Sequence, residues 1–368
     1  MEHLPYILWI LITGQQCSVR TYKMLRYFNT PKEAYETAIR GELDKSIFHT
    51  EDQEMFQKDK TLQKAYHLIE YCNKKNIEII TYYDKNYPEQ LRWIACPPLA
   101  LFVKGKLCIT HDTPAITIVG TRHCTDKGAK LTAKLSYGLS RSGIYVISGL
   151  AKGIDTYAHK GCLLAKTSPT IAVLPCGVDN IYPKENEALS HLITQNGAII
   201  SELIPGTNIP GKWSFLLRNR ILSALSQSTL VVESLKKGGS LITANHALEQ
   251  NKTVFAVPGF PGIAACEGTN ELIKAGATPC TGLQDIYDFY IPLFKDKIKR
   301  LEQKTTMPLK KLSPDQQRIY RELTSPQTAE EICDKTSIPF IELIPLLSEM
   351  KTLNLIEKNG QYYQIKQS

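Results

Sequence analysis

No C-x-x-C pair occurs among the ten cysteines of this chain, and no histidine cluster completes a zinc-binding spacing. A structural zinc module is thereby excluded, and the expectation is reduced, mostly buried thiols in a cytoplasmic protein with no metal. A long hydrophobic run is missing too. The nearest approach is the start, MEHLPYILWILITGQQC, which is too short to span a bilayer. It has Glu2 and no Lys or Arg ahead of its apolar stretch, and no small-x-small cleavage site follows. A buried first helix is expected there, and no membrane association. Internal repeats and the compositions of collagen or bulk disorder are also lacking.

What is present is ordinary globular material: 368 residues, 43% hydrophobic and 22% charged. That length calls for two or three domains. The formal net charge of +8 leans mildly toward anionic partners.

Residues 1–75 carry 3.6-period apolar positions in RTYKMLRYF and PKEAYETAI, with Asn29-Thr30-Pro31 as a helix start, and form an expected small helical domain. Residues 77–104 look extended and irregular, with three prolines. From 114 to 290 short, almost wholly apolar runs (AITIVG, IYVISG, TIAVLP, AIISE, TLVVE, TVFAVPG) alternate with helical stretches. Strands of that kind are buried on both faces, so 76–290 reads as a Rossmann-like, doubly wound α/β domain with a largely parallel sheet. Right-handed crossovers place the strand C-terminal ends along one edge, where such sheets bind ligands. A basic linker is expected over 291–311. Residues 312–368, three amphipathic helices and a hairpin turning at Asn359-Gly360, suit a winged helix-turn-helix.

The strand ends carry the chemistry. VGTR ends the first run, and a helix follows from about Thr125. Free N–H groups at a helix start favour anions; Gly120 permits close approach, and Arg122 adds a fork of donors suited to phosphate, with Thr121 between them as a further candidate binding residue. A tight turn with a solvated arginine is the alternative. Ser148 and Gly149 open a second such turn, SGLAKG. Asp155 and His159 beyond it share a helix face, and a packing pair with satisfied hydrogen bonds is expected of them. Gly239 and Ser240 in KKGGS make a third turn. Three on one edge, without a nucleophile, point to an extended phosphate-binding surface rather than a catalytic pocket.

GTNIPGKW comes close to the phosphate-binding GxxxxGK[ST], yet Trp213 stands where a hydroxyl should hold Mg²⁺, and Pro210 removes an N–H from the cradle. On a wheel at roughly 100° per residue, Leu217, Ile221, Ala224 and Leu225 form one apolar face. Phe215 lies off that face with Asn219, Ser223 and Ser226, flanked by Arg218 more closely than by Arg220. Phe215 beside Lys212 and arginines has the composition of a base-stacking platform over a phosphate track; packing on a neighbouring loop is the other reading.

In order, VGTR, SGLAKGIDTYAH, IAVLPCGVDNIYPKEN, ISELIPGTNIPGKWSFLLRNRILSALS, LVVES with GGSLITA, FAVPG and GTNELIKAGA resemble the DNA-processing protein A family (DprA, also called Smf) over about residues 90–280. The resemblance implies a Rossmann-like domain that binds single-stranded DNA, forms homodimers and loads RecA recombinase in natural transformation, without cofactor or catalysis. It also implies that Arg122 contacts phosphate, that Lys212 and Phe215 form the Lys-x-x-Phe pair, and that Arg218, Asn219 and Arg220 are the RNR signature. The chain departs from the family in lacking a Gly-rich helix-hairpin-helix turn near its start and in having Gly238 where a serine is usual. Two other readings compete. A nucleotide-processing enzyme of the glycosidase type needs a PGGxGTxxE turn, which KKGGSLITA does not supply. A transcription regulator needs a basic recognition helix, and PFIELIPLLSEMK is acidic and apolar.

Overall fold

The computed structural model describes residues 2–16, 19–208, 211–295, 297–298, 312–323, 325–352 and 355–365. The chain divides into two compact units, Met1–Arg300 and Leu301–Ser368.

The first unit begins with five helices, α1 (Leu4–Thr13), α2 (Val19–Tyr27), α3 (Pro31–Arg40), α4 (Thr50–Gln57) and α5 (Gln63–Lys74). Helix α3 shows why they start and stop. Thr30 accepts a hydrogen bond from Glu33 N, Pro31 occupies the first turn, and Gly41 closes the helix at φ 78°. Helix α1 is buried, as expected, through Ile7, Leu8, Trp9, Ile10 and Leu11. These helices share one hydrophobic core with Phe102, Leu150, Leu174 and Ile199 of the sheet region.

The sheet has nine strands: β1 (Glu78–Thr81), β2 (Ala100–Gly105), β3 (Ala115–Val119), β4 (Tyr145–Ser148), β5 (Thr170–Val173), β6 (Ala198–Ser201), β7 (Ser228–Val231), β8 (Thr253–Ala256) and β9 (Thr278–Pro279). Their order is β1-β2-β6-β5-β4-β3-β7-β8-β9. Strands β1 and β2 run antiparallel to each other, and β2 runs antiparallel to β6. The remaining pairs are parallel. The stretch read as irregular, 77–104, therefore contributes the two strands at one end of the sheet, β1 at its edge and β2 inside it, with its prolines between them.

Helices α6 (Asp126–Arg141), α7 (Ile154–Ala165), α8 (Glu187–Asn196), α9 (Lys212–Ala224), α10 (Gly239–Glu249), α11 (Ala264–Lys274) and α12 (Leu283–Leu293) complete this unit. Alternation along β3 sends Ile116 and Ile118 into a core with α6, α7 and α12, and Ala115 and Val119 into a core with α9 and α10. From β3 the order runs back to β4 on one side and forward to β7 on the other, which makes β3 the topological switch point where such sheets hold ligands.

The second unit comprises α13 (Pro314–Glu322), β10 (Gln327–Thr328), α14 (Ala329–Thr336), α15 (Phe340–Thr352), β11 (Ile356–Asn359) and β12 (Tyr362–Ile365), with sheet order β10-β12-β11. The expected three helices and hairpin are present, with one short strand added. Ile319, Ile332, Leu343, Leu347, Met350 and Ile356 form its core. The linker expected at 291–311 lies mostly outside the described residues.

One expectation is corrected here. Of the nine described cysteines, all free, only Cys72, Cys162, Cys176 and Cys280 are buried, while Cys96 and Cys108 are exposed because they lie on connecting segments. Among the described residues no helix is long and apolar enough to cross a membrane.

Candidate nucleic-acid interface

The three turns at the strand C-terminal ends are not equivalent. After β3, the start of α6 is capped twice. Thr125 Oγ1 accepts from Gly128 N, and the Glu233 carboxylate accepts from Thr125 N at 2.9 Å and from Thr125 Oγ1 at 2.6 Å. Gly128 is required because a side chain there would run into that carboxylate. After β4, the Asp155 carboxylate accepts from Gly149 N at 3.1 Å and from Ala151 N at 3.4 Å. Both turns already hold an anion, supplied by the protein itself. The expectation of free N–H groups at all three is corrected for these two. The reason is that a buried carboxylate is satisfied most fully by the unpaired donors of a helix start. The third turn, before α10, is different: Gly239 is exposed, with open space where a side chain would be.

Helix α9 carries the signature residues, and it is buried on more than its apolar face. Ser223 and Ser226 are fully covered. Ser226 Oγ meets Thr117 Oγ1 at 2.8 Å, and Ser223 Oγ donates to Asn219 O. Small hydroxyls that bond back to helix carbonyls can pack against a strand as alanines do. Arg218 is therefore not on a solvent-facing side. It is 7% exposed and donates to Gly149 O at 2.8 Å and to Val173 O, tying α9 to the ends of β4 and β5. Burial pushes its guanidinium down to about 10, against the opposing pull of Asp155. The same burial raises Asp155, with Arg218 acting against it. Asn219 is buried and accepts from Arg218 Nε. Arg220 pairs with the buried Glu202 at 2.7 Å.

Phe215 is half-buried, and its ring is met from two sides. The exposed Arg122 places its guanidinium carbon 4.9 Å from the ring centroid, and Tyr182 meets the ring edge-on at 6.1 Å. A cation over an aromatic face is held there by the ring quadrupole, so Arg122 is oriented at the mouth of the β3 turn instead of hanging freely. Phe215 contacts neighbouring loops, as the packing reading expects, and the groups it contacts line the edge.

A cleft of about 370 Å³ runs along this edge. Gly120, Thr121, Arg122, Phe215, Arg218, Asn219, Gly239 and Ser240 all line it, together with Leu216, Leu235 and Lys237. Gly149, Lys152, Tyr182 and Phe215 line a smaller hollow of about 50 Å³ next to it. Ser148 is not at the surface; it is fully buried, with its hydroxyl donated to Ile118 O. Ser240 is nearly buried and donates to Ser234 Oγ at 2.8 Å. Lys212 begins α9, but its side chain lies outside the described residues. Lys152, Tyr182 and Lys237, which line these two hollows, were not singled out from the sequence, although SGLAKG and KKGG had placed the two lysines after strands.

The Asp155–His159 pair is buried on α7, but only half satisfied in the sense expected. His159 Nδ1 lies 2.7 Å from Thr170 Oγ1, whose proton goes to Val146 O, so Nδ1 is the donor. Nε2 is buried and has no partner among the described residues. Burial, aided by Arg218, pushes this imidazole down to about 3, so it stays neutral. No group of three or more metal-ligating side chains occurs among the described residues.

A family profile described as DNA recombination-mediator protein A matches residues 78–291. Protein Smf of Synechocystis sp. is 40% identical over 215 residues, which make up 58% of this chain and 54% of that protein. The chain thus spans about half the length of this curated relative. The X-ray structure of DNA processing protein A from Streptococcus pneumoniae is similar at a TM-score of 0.60 and 29% identity, over 77% of this chain and 97% of that one. DNA processing protein A from Helicobacter pylori, whose structure is described for its single-stranded DNA binding mode, is similar at a TM-score of 0.52 and 30% identity, over 58% and 96% of the two chains.

Proposed function

Since the chain belongs to the DNA recombination-mediator protein A family, we propose that it binds single-stranded DNA along the C-terminal edge of its parallel sheet and acts as a mediator, not as an enzyme. The observation that carries this reading is the Arg122–Phe215–Tyr182 arrangement beside an open cleft. It offers an aromatic face to a base and a guanidinium to the adjoining phosphate, the combination that sequence-tolerant single-strand binding requires.

The residues divide by role in this reading. Arg122 and Lys212 hold phosphates, and Phe215 stacks on a base. Gly120, Thr121 and Gly239 form the floor over which the backbone passes. Ser148, Gly149, Arg218, Asn219 and Ser240 shape that floor from beneath, and Arg220 holds α9 to Glu202. Residues 76–290 are the binding domain; the helices of 1–75 support it. The wider role follows the family: the protein works as a homodimer in the cytoplasm and passes the strand to RecA recombinase during natural transformation.

The test is a salt titration of binding to single-stranded and duplex DNA of equal length. A stacking edge needs unpaired bases, so the single strand binds more tightly at every salt concentration, with little sequence preference. Equal or tighter duplex binding would sink the reading.

A further inference from the structure

Phe260 is 81% exposed, the most exposed phenylalanine among the described residues. It sits in the turn after β8, and that turn is held firmly. Asn270 clamps the preceding residue from both sides: its Oδ1 accepts from Gly259 N at 3.1 Å and its Nδ2 donates to Gly259 O at 3.0 Å. Cys266 packs where a Gly259 side chain would be, and Ile263 N returns to Phe260 O at 3.3 Å. An apolar ring of this size is normally buried, and here a braced turn presents it to water.

Its position gives the ring a use. Strand β8 is parallel to β7, and β7 to β3, so the Phe260 turn leaves the same edge as the turns of Arg122 and Lys237. Ser234 N bonds to Ala265 O, and Gly268 N to Ser234 O, joining the start of α11 to the β7 turn that lines the cleft. Between Phe215 and Phe260 that β7 turn exposes Leu235, Lys236 and Lys237. Two strand steps at about 4.8 Å separate the β3 turn, where Arg122 meets Phe215, from the β8 turn. That is about 10 Å, room for roughly three stacked nucleotides at about 3.4 Å each.

We infer that Phe260 is a second base-stacking platform, so that the single-strand track continues from Phe215 across the lysines of the β7 turn to the β8 turn. The inference rests on the single-strand reading above and fixes the course of the strand: along the sheet edge toward β8.

The experiment measures binding of an oligo(dT) length series to the full chain, as wild type, Phe260→Ala, Phe260→Trp and Phe215→Ala, with sedimentation of each variant. Losing one base stack weakens binding about 5- to 150-fold. The expected result is that loss for Phe260→Ala on the longer oligonucleotides only, with the shortest unaffected and the salt slope unchanged, and quenching of the added Phe260→Trp emission on binding. Wild type that binds while Phe215→Ala is weakened and Phe260→Ala is not, at any length, overturns this inference alone. A Phe260→Ala variant whose sedimentation changes in step with its affinity also overturns it, because the ring then belongs to an interface between copies. Wild type that binds no single strand overturns both readings. Phe260 is exposed, so its substitution leaves the fold intact and each outcome is decisive.

Discussion

The two halves of helix α9 are made of similar residues and do opposite things. In the first half, Trp213 and Leu216 are more than two-fifths exposed and Phe215 lies open to the cleft. In the second half, Ile221, Leu222, Ser223 and Ala224 are fully covered. The boundary is Arg218, which reaches beneath the helix to Gly149 O and Val173 O. The far end is closed by Lys252, whose Nζ donates to Ser223 O, Ala224 O and Ser226 O, carbonyls that the last turn leaves unpaired. The difference teaches that a helix can offer one aromatic ring at a fixed place only if the rest of it is immobilised. Here much of the immobilising is done by the basic side chains of Arg218 and Lys252 rather than by the apolar face alone.

Arg218→Ala tests the boundary and carries the largest expected effect. It leaves Asp155 without its compensating charge and two carbonyls without a donor, a loss of about 3–5 kcal/mol of stability. Thermal melting reads it directly. A variant that melts like wild type and loses only DNA affinity would move Arg218 to the exposed half and erase the distinction.

Lys252→Met sharpens the comparison from the other end. Unpaired carbonyls at the end of α9 cost about 2–3 kcal/mol. The pH dependence is a second readout. Burial pushes Lys252 down to about 7 in the native protein, well below its ordinary value. Between those two values the unfolded chain binds the proton and the native state does not, so stability rises as pH increases through that window. Urea melts of wild type from pH 7 upward should show this contribution, and Lys252→Met should lack it. A parallel pH profile in both proteins would show that Lys252 keeps its charge.

On the proposed reading, the exposed half should answer to binding, not to melting. Phe215→Ala should lower single-strand affinity by about 1–3 kcal/mol and leave the salt slope nearly unchanged, since no charge is removed. Arg122→Ala gives the smallest and most specific signal, a slope of log K against log salt flatter by roughly 0.7 for one lost phosphate contact. If Phe215→Ala instead lowers the melting temperature strongly with affinity intact, the ring belongs with the buried half.

Much of this site could be read from residue order, and the unreadable part has a common cause. The parallel strands, the ligand edge and the outward turn of Phe215 follow from runs of apolar residues and a helical wheel, which are local properties. The burial of Arg218 does not, because a wheel treats Ser223 and Ser226 as polar when their hydroxyls are already satisfied within the helix and against Thr117. Strands β1 and β2 were hidden by the prolines between them. Glu233 ends an apolar run like any acid after a strand, yet it caps a helix 108 positions earlier in the chain. Pairings over that distance leave no local trace.

The Glu233 carboxylate at the start of α6 has one more consequence. A living cell is full of free nucleotides, and folds of this type commonly seat a phosphate at that first turn. With the protein's own carboxylate seated there, a mononucleotide finds the place taken and gains little from the turn. A long strand depends less on any one turn, since it collects many weak contacts along the whole edge. On the proposed single-strand reading, the built-in acid would favour polymers over monomers without any pocket that measures length.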